Sequence, residues 1–482
     1  DPTGNNNGRL DPGETADLDI TLINYGSSDA YNVTGDLISI SPYVSVVSDF
    51  KNYGDLQSGA SGSQVFAVNV DPNAPEGQTA PFMMEVTADR GLAQVITFDL
   101  VIGKTPVLVI DMDGNLNSGQ SLVDAASSLG LIADYMQSVP DDMTDYTSIF
   151  VCLGIYPDKH VLSTTEGTRM KNFLDNGGRA YMEGGDTWKF DPQTSVHPMF
   201  RILGITDGSG DLGTIKGVNG AFTEDMIFDY NGDNNFIDHI TNEGTGFQIF
   251  RNQNPSYCNA VAYDAGIYKT IGKSFEFGGL VDGTLPATKQ NLMVEYLTFF
   301  GIDIPALAAN FAGYPTEINV GEGVSFYNFS TGGVSTYDWS FPGGTPETST
   351  EAEPVVFYNT PGIYDVTLTV SDGYGVNTLT KTDYIQVDFA TGLSTENGSL
   401  QCTLLPNPNN GTFILRMAAS EQDQVSLKIF NTMGSLVYTE DAVTVYNKLD
   451  KTISLPTIPN GIYVMTVQGQ KGTWTGKIVV NR

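Results

Sequence analysis

The sequence predicts a multidomain, mainly β protein with three β-sandwich modules and one doubly wound α/β domain. Its 482 residues are enough for about three or four domains. Glycine is abundant (53 residues), aromatic residues make up 11%, and long helical patterns are few, which favours β modules. One stretch alternates apolar strands with helical patterns, which indicates a parallel sheet. The predicted boundaries are 1–103, 105–303, 305–388 and 397–482, with a short polar linker at 389–396.

Charge and composition exclude several classes of partner. The formal net charge of −33 argues against nucleic acid, whose phosphates need Lys and Arg, and against anionic membrane surfaces. An acidic surface is compatible with an extracellular setting and with divalent cations. No run of about 18 apolar residues is present, so no transmembrane helix is expected. The three cysteines are far apart and odd in number, so no disulfide framework is implied.

The first module, 1–103, has the pattern of an immunoglobulin-like sandwich. Residues 17–24, 64–70 and 84–88 alternate polar and apolar side chains with period two. Turns rich in Gly, Ser, Asn and Pro separate these runs, as in a sandwich of short antiparallel strands.

The segment before the first strand follows the spacing of an EF-hand calcium loop. Asn5, Asn7 and Asp11 occupy the third, fifth and ninth positions, and Glu14 occupies the twelfth, which needs a bidentate carboxylate. The first position is a threonine, a poor ligand that Asp1 is expected to replace. A plain Asn/Gly turn without an ion is the alternative. The predicted calcium ligands are Asp1, Asn5, Asn7, Arg9, Asp11 and Glu14.

The second segment, 105–303, alternates strands with helices and therefore predicts a doubly wound parallel sheet. A continuous apolar run at its start is typical of a buried parallel strand. The predicted strands are 106–111, 132–135, 148–153, 180–183 and 273–278, and the predicted helices are 121–129, 164–174 and 288–300.

The strand 180–183 ends in the turn Glu183-Gly184-Gly185-Asp186, and open α/β sheets place their chemistry at such carboxyl ends. A hydrolase or amidotransferase of this build carries Ser or Cys at the tip, and neither is present. The candidates for acid–base work or metal binding are Glu183, Asp186, His160 and His197. The alternative is that these are solvated or capping carboxylates and hydrogen-bonded rim histidines.

Two further features of this segment are weaker signals. Asp229, Asn231 and Asp233 have the 1,3,5 oxygen spacing of a calcium loop but lack its final glutamate, so they predict a weaker second calcium site. Cys152 lies in an apolar run and is predicted to be a buried structural cysteine, since reactive thiols need exposure. His239 is expected in an acidic loop.

The third module, 305–388, contains Trp339-Ser-Phe-Pro-Gly-Gly344 and then Pro361-Gly-Ile-Tyr364-Asp-Val366. These runs, in this order, closely resemble the polycystic-kidney-disease (PKD) domain, a small β-sandwich. The resemblance implies a spacer or binding module on an exported protein. Trp339 and Tyr364 are expected to face its core.

The last module, 397–482, contains Leu-Pro-Asn-Pro at 405–408, Gly-Thr-Phe at 411–413 and Ile-Pro-Asn-Gly-Ile-Tyr-Val at 458–464. Recurrent alternation predicts a small β-sandwich. The set resembles the type A C-terminal sorting domain of the type IX secretion system. It implies export across the outer membrane in Bacteroidetes, with the translocon and shuttle proteins of that system as partners, and a secreted or cell-surface location.

Two looser resemblances complete the prediction. The first module is similar to the Asn-rich-loop immunoglobulin-like modules downstream of catalytic domains in secreted peptidases. Residues 105–303 resemble the class I glutamine amidotransferase-like (flavodoxin-like) fold in layout. Together they imply a non-catalytic accessory, scaffold or ligand-binding region, with a catalytic domain such as a peptidase expected upstream of Asp1. The alternatives are a hydrolase that uses the rim of 105–303, and a calcium-dependent adhesin that binds a host or matrix ligand.

Overall fold

The computed structural model describes residues 5, 7–208, 210–388, 400–407, 409–431, 434–469 and 473–481. Strands in several sheets dominate the chain, as the sequence predicts. The chain divides into two compact units, one of 1–311, 328–337 and 369–379, the other of 312–327, 338–368 and 380–482. Asp1 and the predicted linker 389–396 lie outside the described residues.

The first hundred residues form two antiparallel sheets, ordered β1-β5-β3 and β4-β2-β6-β7. β2 and β5 alternate buried with more exposed side chains, and Phe66 and Phe82 are fully buried in the shared core. This agrees with the period-two pattern of the sequence. The strands are β1 (Thr15–Ile23), β2 (Ala30–Ser39), β3 (Val44–Val46), β4 (Phe50–Leu56), β5 (Ser61–Val70), β6 (Thr79–Ala88) and β7 (Leu92–Val101).

The next part of the chain builds one twelve-stranded mixed sheet with three helices. Five neighbouring strands, β9-β8-β10-β11-β18, run parallel. The elements are β8 (Thr105–Asp111), α1 (Gly119–Ser127), β9 (Ala133–Met136), β10 (Tyr146–Cys152), α2 (Thr164–Asp175), β11 (Arg179–Glu183), β12 (Ile202–Asp207), β13 (Ile215–Gly217), β14 (Ile227–Tyr230), β15 (Asp238–Asn242), β16 (Phe247–Asn252), β17 (Tyr257–Asp264), β18 (Lys269–Lys273), β19 (Leu280–Val281) and α3 (Lys289–Phe300).

Helices cover both faces of the parallel strands because alternate strand residues point to opposite sides. On one face, Leu122 of α1 and Leu292 of α3 belong to the same buried cluster as Phe150 of β10. On the other face, Met170 of α2 packs in a cluster with Ile149, the next residue back along the same strand. The helix α2 starts at a reciprocal Ser163–Glu166 capping box, which satisfies free backbone amides of its first turn.

The sheet differs from the sequence prediction in its second half. Residues 202–264 supply six strands, β12–β17, that pair antiparallel where no strand was predicted, because short strands of mixed polarity carry little periodic signal. The predicted strand 273–278 is wrong: β18 ends at Lys273. Phe275 and Phe277 imitate strand alternation, but Glu276 between them is buried as well. His239 lies in β15 rather than in a loop.

The third module has two sheets, ordered β20-β22-β26-β24 and β21-β28-β27-β23-β25. Trp339 is fully buried and stacks on Phe341 with ring centroids 5.5 Å apart, as expected of a core residue. Tyr364 is only half-buried, and its hydroxyl donates to the Thr360 carbonyl. The strands are β20 (Phe311–Tyr314), β21 (Glu317–Asn319), β22 (Gly323–Asn328), β23 (Thr336–Ser340), β24 (Gly344–Thr345), β25 (Thr348–Ser349), β26 (Val355–Tyr358), β27 (Gly362–Ser371) and β28 (Val376–Asp388).

The last module forms one hydrogen-bonded antiparallel sheet rather than two separate ones. Its order is β29-β30-β32-β33, and β31 pairs along β30. The long strand β30 pairs with β29 in its first half and with β32 in its second half, on either side of a register shift between Ala419 and Asp423. The strands are β29 (Leu400–Leu405), β30 (Thr412–Asn431), β31 (Leu436–Ser454), β32 (Gly461–Gln468) and β33 (Thr473–Val480).

Phe150 is a direct test of the core between the parallel sheet and α3. Its buried ring stacks on Tyr181 at 5.1 Å and meets Phe300 edge-on at 5.9 Å. We expect F150A to lower the free energy of unfolding by about 3–5 kcal/mol, since it removes contacts and leaves a cavity. Urea dependence of hydrogen exchange in peptides from 105–303 measures the change. The control I267A, at a 68% exposed side chain, should stay within about 0.5 kcal/mol. An equal effect of both variants would contradict this packing.

Candidate functional site

Four adjacent parallel strands end in register at one edge of the mixed sheet. Asp111 ends β8, Cys152 ends β10, Glu183 ends β11 and Lys273 ends β18, and each is paired in register with the next. All four side chains are fully buried. Since open α/β sheets bind ligands beyond the carboxyl ends of their strands, this row and the residues that cover it are the candidate site.

Glu183 and Lys273 form a buried ion pair at one end of the row. The Lys273 Nζ lies 3.2 Å from Glu183 Oε2, which also accepts from the Phe277 amide at 2.8 Å and from the Tyr181 hydroxyl. The same Nζ lies 5.2, 4.2 and 5.4 Å from the ring centroids of Tyr181, Phe275 and Phe277. Burial lowers the pKa of Lys273 to about 8. The ammonium group is therefore enclosed by three rings and one carboxylate.

Three more carboxyl groups lie near this pair. Asp111 accepts from the Tyr135 hydroxyl at 3.0 Å, and Asp113 accepts from the Asn115 amide at 3.2 Å. Glu276 accepts from the Asn117 side chain at 3.0 Å. Three of the four carboxyl groups have one oxygen that accepts no hydrogen bond. These oxygens are Asp113 Oδ2, Glu183 Oε1 and Glu276 Oε1.

The buried carboxyl groups are shifted toward their neutral form. Burial raises the pKa of Asp113 to about 7 and that of Glu276 to about 8, and in both cases the nearby Glu183 charge adds to the effect. Burial also raises the pKa of Asp111. Because one ammonium group faces four carboxyl groups, partial protonation is the simplest way to limit their repulsion.

The structure gives the four predicted catalytic residues separate partners. Glu183 pairs with Lys273, whereas Asp186 forms a 2.6 Å salt bridge with Lys159. The His160 Nε2 lies 3.2 Å from both carboxylate oxygens of Glu166 in the α2 capping box. The roles predicted for these residues stay predictions.

His197 is held in a pocket of threonines. Its Nδ1 accepts from the Thr194 amide at 2.9 Å, and its Nε2 lies 3.1 Å from the Thr187 hydroxyl. Burial lowers its pKa to about 4, so the ring is neutral at pH 7. The neutral imidazole is hydrogen-bonded through both ring nitrogens, and it links Thr187 to Thr194 within the 187–197 loop.

The three cysteines are free and buried. Burial raises the pKa of Cys152 well above its usual range and raises that of Cys258 and Cys402 to about 12. A thiol with such a pKa is not a nucleophile at neutral pH. Cys152 is thus the buried cysteine that its apolar run predicts.

Sequence reasoning missed Lys273, Glu276, Asp111 and Asp113. A signal existed for the aspartates, since Asp111-Met-Asp113-Gly-Asn115 directly follows a continuous apolar strand. Lys273 and Glu276 stand out less, as single charges within a stretch of buried apolar residues. Only the parallel pairing of β11 with β18 brings them to Glu183.

The described members of the predicted N-terminal calcium loop gather around one carboxylate. Asp11 Oδ2 accepts from the Asn5 and Asn7 side-chain amides at 2.8 and 2.5 Å. Glu14 Oε1 accepts from the Asp11 amide at 3.1 Å, and the Arg9 guanidinium bridges Asp11 and Asp145 at 3.5 and 2.8 Å.

The weaker calcium prediction has a different geometry. Asp229 is exposed and accepts from the Thr214 hydroxyl at 3.3 Å, whereas Asp233 accepts from the Asn115 side chain at 2.7 Å. The Asn231 amide donates to the Gly279 carbonyl. The second calcium site stays a prediction.

Two cavities of the first compact unit lie away from the strand-edge row. Their volumes are about 610 and 260 Å³, and both are lined by Ser128, Gln290, Gly332 and Asp372. Neither is lined by the row or by the four predicted catalytic residues. In this conformation the row is sealed within the protein.

Two family models match separate parts of the chain. The PKD domain model matches residues 307–387, and the secretion-system C-terminal sorting domain model matches residues 403–481. The chain carries a PKD domain and a C-terminal sorting domain. The sorting domain indicates export by the type IX secretion system to the cell surface or the extracellular space, and implies recognition by that machinery. Among the described residues, no helix combines the length and hydropathy needed to span a membrane.

Several solved structures are similar to parts of the chain. The PKD1 domain of the Vibrio cholerae metalloprotease PrtV is 36% identical, with coverage of 17% of this chain and 99% of that chain, at a TM-score of 0.15. The PKD1 domain of Vibrio anguillarum Epp is 33% identical, with coverage of 17% of this chain and 98% of that chain, at a TM-score of 0.15. Dimeric latent PorU from Porphyromonas gingivalis is 15% identical, with coverage of 53% of this chain and 26% of that chain, at a TM-score of 0.15. No curated protein matches the chain.

The raised pKa of Glu276 predicts a pH-dependent stability. A carboxyl group whose pKa rises from 4.5 to about 8 on folding contributes stability that is complete below pH 4.5 and is lost as the pH rises toward 8. Relative to E276Q, the wild type should lose on the order of 3 kcal/mol between pH 5 and 8. Urea unfolding in a chelator measures the difference. The exposed control E243Q should track the wild type, and parallel curves for wild type and E276Q would contradict the assignment.

Proposed function

We propose that residues 105–303 form a non-catalytic scaffold or ligand-binding domain within an exported, multidomain protein. The observation that carries this proposal is the pairing of each candidate chemical group with a structural partner. Glu183 pairs with Lys273, Asp186 with Lys159 and His160 with Glu166. The tip of the turn after β11 carries glycines in place of a nucleophile.

The finer domain assignment belongs to the same proposal. A class I glutamine amidotransferase-like layout is supported by five parallel strands in the order second, first, third, fourth, fifth, with helices on both faces. A fold of this kind hosts many activities and carries none by itself. The boundaries 1–103, 105–303, 305–388 and 397–482 are supported because no described strand crosses any of them.

In this proposal the domains divide the work. The sorting domain directs export, the PKD domain acts as a spacer or binding module, and the first sandwich joins them to the α/β domain in an accessory region. That this region serves a larger protein such as a peptidase remains part of the proposal. The intact mass of the protein from its native cells tests that part.

The non-catalytic proposal predicts no turnover by the purified chain. Peptide, ester and glycoside substrates should be hydrolysed at the same background rate by the wild type and by E183Q/D186N. E183Q/K273M provides a second variant, because replacing both members of a buried ion pair is far less disruptive than removing one. Circular dichroism verifies the fold of each variant. Turnover that is present in the wild type and absent from folded E183Q/K273M would establish the hydrolase alternative.

We also propose that the loop 5–14 binds calcium and stiffens the start of the first sandwich. Asn5 and Asn7 both donate a side-chain amide to Asp11 Oδ2. A half-turn of either amide group gives up the backbone N–H that its oxygen accepts and presents that oxygen at the same point, beside Asp11. Glu14 adds a carboxylate beside them. This all-oxygen set suits calcium. A calcium-dependent adhesin is the alternative function that such a loop would serve.

Calcium should therefore stabilise the first sandwich. At about 100-fold excess over the dissociation constant, one bound ion adds about 2.7 kcal/mol to the free energy of unfolding. Hydrogen exchange in peptides from 15–101, with calcium or chelator, measures the gain. D11N should abolish it, and D17N, at an exposed aspartate of β1, should keep it. Exchange that is indifferent to calcium in the wild type would favour the plain turn.

A further inference from the structure

We propose that Asp186, Asp207 and Asp238 form a divalent-cation site of calcium type, separate from the N-terminal loop. One carboxylate oxygen of each residue lies within 4.8 Å of those of the other two. The site would fasten the paired strands β12 and β15 to the glycine-rich turn after β11. It contains no histidine and shares only Asp186 with the predicted catalytic set.

The fold forces these three carboxylates together. Asp207 ends β12 and Asp238 begins β15, and the two residues are directly opposite each other in the antiparallel register. Like charges in that position destabilise a strand pair. The Asp238 amide donates to the Gly185 carbonyl at 2.8 Å, which brings the turn residue Asp186 to the same place.

The hydrogen bonding of the two buried members is a second, independent observation that favours a cation site. Asp238 Oδ2 accepts from the amides of Trp188 and Lys189 at 2.9 and 2.7 Å, while its Oδ1 has no donor. Asp186 Oδ2 pairs with Lys159, while its Oδ1 also has no donor. Asp186 is 3% exposed and Asp238 is fully buried. A buried carboxylate oxygen without a partner is costly, and a bound cation removes that cost.

The net negative charge at this place is large enough to attract a divalent cation. Lys159 bridges Asp186 and Asp191 at 2.6 Å each, so one ammonium group serves two of the four aspartates at this place. With all four ionised the group carries a net charge of −3, which a divalent cation reduces to −1. Asp207 is exposed, so water can reach the open side and complete the coordination.

The donor set favours calcium over the common alternatives. Zinc prefers nitrogen and sulfur ligands in tetrahedral sites, and this set offers carboxylate oxygens alone. Two ligands on opposite sides of a calcium ion, each at about 2.4 Å, are about 4.8 Å apart. The three oxygens all lie within that limit of one another, so one calcium ion can contact all of them. Magnesium demands shorter distances and a stricter geometry.

The test uses the full-length chain with the N-terminal loop silenced by D11N, so that the two calcium proposals fail independently. Calorimetric titration of chelator-stripped D11N with calcium should show, apart from any ion bound at 229–233, a bound ion that D207N/D11N binds at least tenfold more weakly. D207N is chosen because that side chain is exposed and its loss spares the core. E243Q/D11N, which removes an exposed charge at the residue after β15, is the matched control and should bind as D11N does.

A second readout separates local fastening from loose surface binding. Calcium should slow hydrogen exchange in peptides covering 202–207 and 238–242 of D11N, and should leave D207N/D11N unchanged. No calcium binding to D11N at millimolar concentration would overturn the proposal, because Asp186 and Asp238 would then share a proton instead. Equal binding by D11N and D207N/D11N would overturn it as well.

Discussion

The Glu183–Lys273 ion pair is the constraint around which the twelve-stranded mixed sheet is arranged. It joins β11 to β18 at their carboxyl ends, although 85 residues along the chain (184–268) separate these strands. Breaking a buried pair by removing one partner costs about 3–5 kcal/mol, because the remaining charge has no water around it. Any other register of β18 would leave the Lys273 ammonium outside its enclosure of three rings. The pair therefore favours one alignment of the central sheet.

A surplus of buried negative charge follows from that arrangement. Asp111, Asp113 and Glu276 surround a carboxylate that already has its cation, so they share no strong positive partner of their own. Burial and repulsion move Asp113 and Glu276 toward the neutral form at ordinary pH. Asp186, Asp207 and Asp238 also bring like charges together, and for them we propose a bound cation that is reached from the exposed side of Asp207. An extracellular protein works in a medium where weak calcium sites are filled.

The PKD domain and the sorting domain differ from the mixed sheet in how their cores are built. The PKD domain buries Trp339 against Phe341, and the sorting domain closes its core along the long strand β30. Their cores are mainly apolar, although the sorting domain also buries Asp423 at 5% exposure, and turns and cross-strand pairs hold them together. This difference explains why their motifs can be read as continuous runs of sequence, whereas the α/β site cannot.

The sequence by itself determined the local features of this protein. Continuous apolar runs predicted β8, β10 and β11, because a strand buried on both faces leaves that trace, and helical periodicity predicted α2 and α3. The motifs around Trp339 and Pro459 identified two modules. The tertiary structure alone decided which charges meet. Asp207 and Asp238 are 31 positions apart and Glu183 and Lys273 are 90 apart, and no local pattern encodes such pairings. The six short strands between 202 and 264 escaped prediction for the same reason, since their stability comes from their neighbours in the sheet.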